Sequence, residues 1–119
     1  MAKLKNKEFV KCIQSIQKEV NDIAHSKGWW DLDNSIGRNR GEIIALCHSE
    51  LSECLEGMRH GNPQSEHIPE FTAIEEEAAD VCIRLFDWMQ EDGYRLGEAI
   101  LAKIEFNKGR EYKHGGKKF

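Results

Sequence analysis

The chain has 119 residues, the size of one domain with a modest core. Hydrophobic residues make up 39% and the formal net charge is −4, a balance that fits a globular protein in water and lacks the long-range attraction of a nucleic-acid binder. No apolar run is long enough for a membrane span, and Met1 to Lys7 has no apolar signal region behind it, so a cytoplasmic protein is expected, with neither membrane nor nucleic acid as partner. Cys12, Cys47, Cys54 and Cys82 are scattered without Cys-x-x-Cys spacing and read as small core residues in a reducing compartment.

The first expected helix runs from about Asn6, read as an N-cap, to Lys27. Phe9, Ile13, Ile16, Val20 and Ile23 recur at spacings of four and three and form a one-sided stripe for bundle packing. Gly28 ends it. From Gly28 to Gly41 glycines, polar residues and lost periodicity mark a loop. Its adjacent Trp29 and Trp30 can either stack on a flat ligand or plug the bundle end or a subunit interface.

The second helix covers Glu42 to Arg59. At about 100° per residue, Ile43, Ile44, Leu46, Cys47, Leu51, Cys54, Leu55 and Met58 fall on one broad arc. Glu50 lies inside that arc and Glu53 at its edge. Pro63 and Pro69 keep residues 61 to 71 out of helix. Thr72-Ala73-Ile74-Glu75 is a capping box that starts the third helix, and Asp92-Gly93 closes it. There the apolar arc is Ile74, Ala78, Val81, Cys82, Leu85, Phe86, Trp88 and Met89, with Glu77 on its border and Asp80 one step further round. Each acidic pair is three residues apart and so shares a helical face.

Acids at the margin of a core need partners, because a charge leaving water is costly unless paired. Four converging between two helices would repel by roughly 1 to 4 kcal/mol per close pair. A bound cation is the simplest remedy, and oxygen-only ligands favour Mg²⁺, with Mn²⁺ as a substitute. The bland reading is a set of ordinary surface acids in a chain with 32% charged residues. Di-iron bundles use Glu-x-x-His pairs, and neither acidic helix carries one.

The fourth helix is expected from about Leu96 to Arg110, with Leu96, Ile100 and Ile104 as its stripe. Lys103, Asn107 and Arg110 run beside and through that stripe. They read as a phosphate clamp on the inner side of the helix, or as snorkelling side chains and salt bridges to the acidic helices. Residues 111–119 form a basic, glycine-containing tail. Ala79 and Ile83 on the third helix, and Ala99, Ala102 and Phe106 on the fourth, make second apolar flanks, which points to an obligate oligomer.

The order Glu50-x-x-Glu53, a spacer, Glu77-x-x-Asp80, then a helix with Lys103 and Asn107, resembles the MazG-like all-alpha nucleoside triphosphate pyrophosphohydrolases. His48 to Glu53 and Glu77 to Val81 look like the motif helices of that family. Lys103 to Arg110, followed by Lys113 to Lys117, looks like the C-terminal segment of its small single-domain members. The resemblance implies one all-α domain over 1–119, a bundle of four main helices assembled as a homodimer or homotetramer. It implies Mg²⁺-dependent cleavage of a (d)NTP to the monophosphate and pyrophosphate. Glu50, Glu53, Glu77 and Asp80 would be the catalytic acids and metal ligands, and Lys103, Asn107 and Arg110 the phosphate ligands. Trp29 and Trp30 are the nucleobase candidates from the reading of the loop. The alternative from another class is a non-catalytic helical oligomerisation or regulatory module, its acids paired with a neighbour's basic tail.

Overall fold

In a computed structural model, residues 3–31 and 37–112 are described. They form four helices, α1 (Lys3–Ser26), α2 (Arg40–Arg59), α3 (Ala73–Glu91) and α4 (Leu96–Lys108), and no β-strand occurs among them. The all-α expectation therefore holds at the level of helix number and order. Residues 113–119 of the basic tail lie outside the described residues.

Local chemistry explains most of the boundaries. Asn39 rather than a residue nearer Glu42 caps α2, its Oδ1 accepting from the Gly41 and Glu42 amides at 2.8 and 3.3 Å. The expected capping box is formed. The Glu75 amide donates to Thr72 Oγ1, and the Thr72 amide donates back to Glu75 Oε1 at 3.1 Å. The expected cap at Asn6 is not formed, because α1 already begins at Lys3. Lys3, Leu4 and Lys5 are all good helix formers and nothing before Asn6 interrupts them. Gly28 and Gly61 take the left-handed backbone that turns the chain out of α1 and α2, at φ 82° and 79°.

α2 and α3 run antiparallel along their whole length. At one end Gly57 lies against Ala73, where a Cβ on the glycine would meet the Ala73 Cβ at 3.2 Å. At the other end the Arg40 guanidinium grips Asp92 through Nε at 3.0 Å and Nη2 at 2.6 Å. α1 packs on α3, and α4 packs on α1. Gly97 permits this second contact, since a side chain there would press on Ile13 and Val10.

The core is thin. Ile43 and Ala24 are its buried apolar residues, while Leu51, Leu55, Met58, Ile83, Ile104 and Phe106 remain exposed. Among the described residues, the second apolar flanks on α3 and α4 are thus left exposed. The cysteines are not core residues as expected: Cys12 and Cys82 are exposed, and Cys47 and Cys54 half-buried. No helix among the described residues is long and apolar enough to cross a membrane.

A candidate metal centre beside an amphipathic cleft

The antiparallel pairing of α2 and α3 brings Glu50, Glu77 and Asp80 together. One carboxylate oxygen from each lies within 4.8 Å of the others, and all three side chains are half-buried. The crowding shows in their ionisation. Glu77 is pushed up to about 7, first by burial, then by sharing a hydrogen bond with Glu50, then by the charges of Asp80, Glu50 and Glu76. Asp80 is also raised, by burial and by Glu50 and Glu76, against the partial relief of Arg84. Three crowded acids presenting oxygen only suit a hard divalent cation. Arg84, one turn after Asp80, donates from Nε to Glu50 Oε1 at 2.9 Å.

Glu53 stands apart. It is exposed and does not join the group of three acids. Three residues rotate a helical position by about 60° from alignment, and α3 approaches α2 along the line of Gly57, Glu50 and Ile43, which turns Glu53 towards water.

Two of these acids, Glu50 and Asp80, form one wall of a cleft of about 270 Å³. Val20, Ile23 and Ala24 of α1, Ile43 of α2 and Ile83 of α3 supply an apolar floor, and Lys27, Trp29, Arg38 and Arg84 join Glu50, Asp80 and Asp87 around it. Anionic, cationic and aromatic groups therefore face one small space.

A buried network sets the cationic wall. Asp87, 8% exposed, accepts from Asn21 Nδ2 at 2.9 Å and from Trp30 Nε1 at 3.0 Å. Arg38 Nη1 lies 3.9 Å from the other Asp87 oxygen, and its guanidinium sits 4.7 Å above the Trp30 ring. Arg40 covers the same ring at 5.2 Å, and His25 stacks on it at 6.1 Å. Asn21 also donates to Glu91 at 3.0 Å, and His25 Nε2 contacts that carboxylate at 2.6 Å.

The two tryptophans consequently differ. Trp30 is half-buried and its faces are taken, whereas Trp29 is 60% exposed and borders the cleft. Lys103, Asn107 and Arg110 are exposed and do not line the cleft, so their expected place on the inner side of the fourth helix is corrected. α4 packs on the N-terminal half of α1 through Gly97 against Val10 and Ile13, and Lys103 and Arg110 lie over the Phe106 ring at 4.4 and 5.8 Å.

Lys27, Arg38, Arg84, Asp87 and Asn21 were not among the expected site residues. Arg84 and Asp87 had a signal, standing four and seven residues after Asp80 on its own face. Arg38 had none, because an aperiodic loop does not say what it folds over.

Beside the acids, Glu76 ties down the loop before α3. Ser65 Oγ donates to it at 2.9 Å and His67 Nδ1 lies at the same distance.

No protein-family model, curated protein or solved structure matches this chain.

Proposed function

We propose that this protein is a divalent-metal-dependent pyrophosphohydrolase of nucleoside triphosphates, cutting between the α and β phosphates. The observation that carries the reading is the convergence of Glu50, Glu77 and Asp80, of which Glu50 and Asp80 line a cleft that also holds cations and an exposed tryptophan. Glu50, Glu77 and Asp80 would hold Mg²⁺ or Mn²⁺, which would supply charge stabilisation and an activated water. Water adds to the α-phosphorus and the bond to the bridging oxygen breaks, giving a nucleoside monophosphate and pyrophosphate.

The chain's own residues divide the remaining work. Arg38, held by Trp30 and Asp87, presents a guanidinium to the phosphates, with Lys27 as a second point charge. Trp29 offers a flat face for the base, backed by the aliphatic floor. Burial of Asp87 fixes the Trp30 ring and through it Arg38. Glu53, exposed one turn beyond Glu50, stays outside this set of ligands. The reading places the protein in the cytoplasm, where such substrates occur.

The Arg84–Glu50 ion pair favours a second reading, a non-catalytic helical module whose acids are held by cations of the protein. One assay separates the two. The protein is incubated with Mg²⁺ and each of the common NTPs and dNTPs, and pyrophosphate and orthophosphate release are measured. Pyrophosphate with at least one base supports the enzyme. Neither product from any nucleotide, with no rise in melting temperature on adding Mg²⁺, supports the module.

A further inference from the structure

One turn along the α1–α3 seam from the Asn21–Asp87 hydrogen bond lies a second cleft, of about 330 Å³, bordered by the turn into α4. Small-molecule sites run from about 300 to 1,000 Å³. Gln17 of α1 lines this cleft and is 3% exposed. Its carboxamide makes no hydrogen bond among the described residues, yet neither of its polar atoms is sealed from the cleft. Buried polar groups are normally paired, because an unpaired one costs free energy. A buried amide turned to a cleft without a protein partner therefore suits a ligand that brings both a donor and an acceptor.

The other walls narrow the ligand's chemistry. Arg95 stands at the start of α4, forms no ion pair among the described residues and gives the helix no side-chain cap. The first amides of α4 add their partial positive charge beside it. Tyr94 is 54% exposed and supplies a flat surface. Its ring is braced by the edge of Trp88 at 6.2 Å, and its amide donates to the Met89 carbonyl at 2.9 Å. Glu98 is the single carboxylate of the cleft, so no cluster of acids is present to hold a metal.

We propose that this second cleft binds a nucleoside monophosphate without metal. Gln17 pairs with the edge of the base, where an adjacent donor and acceptor match a carboxamide, as N6 and N7 of adenine do. Tyr94 takes the face of the base. Arg95 forks onto the phosphate beside the uncapped start of α4, and Glu98 accepts from a ribose hydroxyl. A bare anion would leave Gln17 unpaired, and a carboxamide amino acid would leave the Tyr94 ring without a flat partner. One guanidinium and one helix start suit a single phosphate group, whereas a triphosphate calls for more cations than the cleft offers. Binding here does not depend on the proposed hydrolysis in the acidic cleft.

Calorimetric titration of the full chain with AMP, CMP, GMP and UMP, in the presence of a chelator, tests this. At least one should bind, and more tightly than its nucleoside or inorganic phosphate. Arg95→Ala and Gln17→Leu should each weaken that binding about 10-fold or more. Arg38→Ala, in the acidic cleft, should leave it unchanged. Gln17→Leu should also keep the helical circular dichroism and hold or raise the Tm of the free protein, since it replaces an unpaired amide by an apolar group of similar size. No binding of any of the four at millimolar concentration overturns the proposal. A lower Tm in Gln17→Leu also does so, because the amide then serves the fold. Binding lost in Arg38→Ala and kept in Arg95→Ala places the nucleotide in the acidic cleft instead. Inorganic phosphate bound as tightly as the nucleotide leaves an adventitious ion only, and binding of free glutamine in place of any nucleotide assigns another ligand class.

Discussion

Replacing Glu77 by Gln should stabilise the metal-free protein above neutral pH. The ordinary value for this carboxyl is 4.5, and in the fold it is pushed up to about 7 by burial, the Glu50 hydrogen bond and neighbouring charges. The ionised form is therefore the one the fold disfavours. Below 4.5 the group is protonated in both folded and unfolded chains and carries no penalty. As pH rises from 4.5 towards 7 the unfolded chain loses its proton while the folded one keeps it, so stability falls, and above 7 the full penalty applies. The interval corresponds to a ceiling of roughly 3 kcal/mol. Partial exposure and solvent screening reduce this to about 1 to 2 kcal/mol, or roughly 4 to 8 °C in Tm for a domain of this size. The assay is thermal denaturation with a chelator at pH values near 5 and near 8.5, for wild type and Glu77→Gln. Wild type should lose stability across the interval, and the variant should lose less and exceed it at the alkaline end. Added Mg²⁺ should then restore the wild type and do little for the variant. If Glu77→Gln is less stable than wild type at high pH under chelation, the carboxyl is serving as a salt-bridge or hydrogen-bond partner and the crowded-acid account fails.

Arg38→Ala should lower kcat/KM for a triphosphate about 10- to 100-fold, the worth of one charge-assisted phosphate contact, while leaving the Mg²⁺-induced rise in Tm unchanged; an equal loss of both would make Arg38 a structural residue. Trp29 fluorescence, read in a Trp30→Phe, Trp88→Phe background, should respond to a nucleotide and not to pyrophosphate alone, and Trp29→Ala should weaken nucleotide binding by roughly 1 to 3 kcal/mol. Lys103→Ala and Asn107→Ala, exposed on α4 and outside the cleft, should leave turnover and helix content unchanged, and a clear fall in kcat/KM in either would return α4 to the phosphates. The loop before α3 should be held best between the Glu76 and His67 titrations. The hydrogen bond with Glu76 raises His67, so that contribution is lost as pH rises past the ordinary 6.5 and through the raised value. The same bond, with Ser65, lowers Glu76, so the clamp is also lost as pH falls below 4.5. Exchange of the Ile68 amide, which donates to Ser65 Oγ, should be slowest between these limits, and a flat profile would release the loop from this pair.

The two acidic motifs were legible because a spacing of three is a property of the helix itself. The Thr72–Glu75 capping box was legible for the same reason, since all its partners lie within one turn. What the sequence left open depended on distant neighbours. Its pattern put both Glu50 and Glu53 near the apolar arc of α2. Only the close approach of α3 at Gly57 decides that Glu50 faces the cluster and Glu53 faces water. On α4 the stripe identified an apolar side but not its cover. Gly97 docks the first turn on α1, and the later residues Ile104 and Phe106 are left 47% and 61% exposed. Amphipathic periodicity reports that a face seeks burial, and it is silent on whether the same chain or another provides it.

The adjacent tryptophans show how far that silence extends. Sequence allowed either to stack on a ligand or to plug the structure, and the fold sets the two rings in different surroundings. Trp30 gives its ring nitrogen to buried Asp87 and its faces to two guanidiniums and a histidine. The main-chain step to Trp29 then leaves that ring at the cleft rim, mostly in water. Asp87 lies 57 residues away from Trp30, so no local rule could pair them. Yet this one carboxylate settles two things at once: which tryptophan is held in place and where Arg38 points. An acid on the face of Asp80, two turns further along α3, thus orders the cationic wall opposite the anionic one. The cleft is built from both ends of a single helix face, and neither wall is in place unless α3 carries its carboxylates in this register.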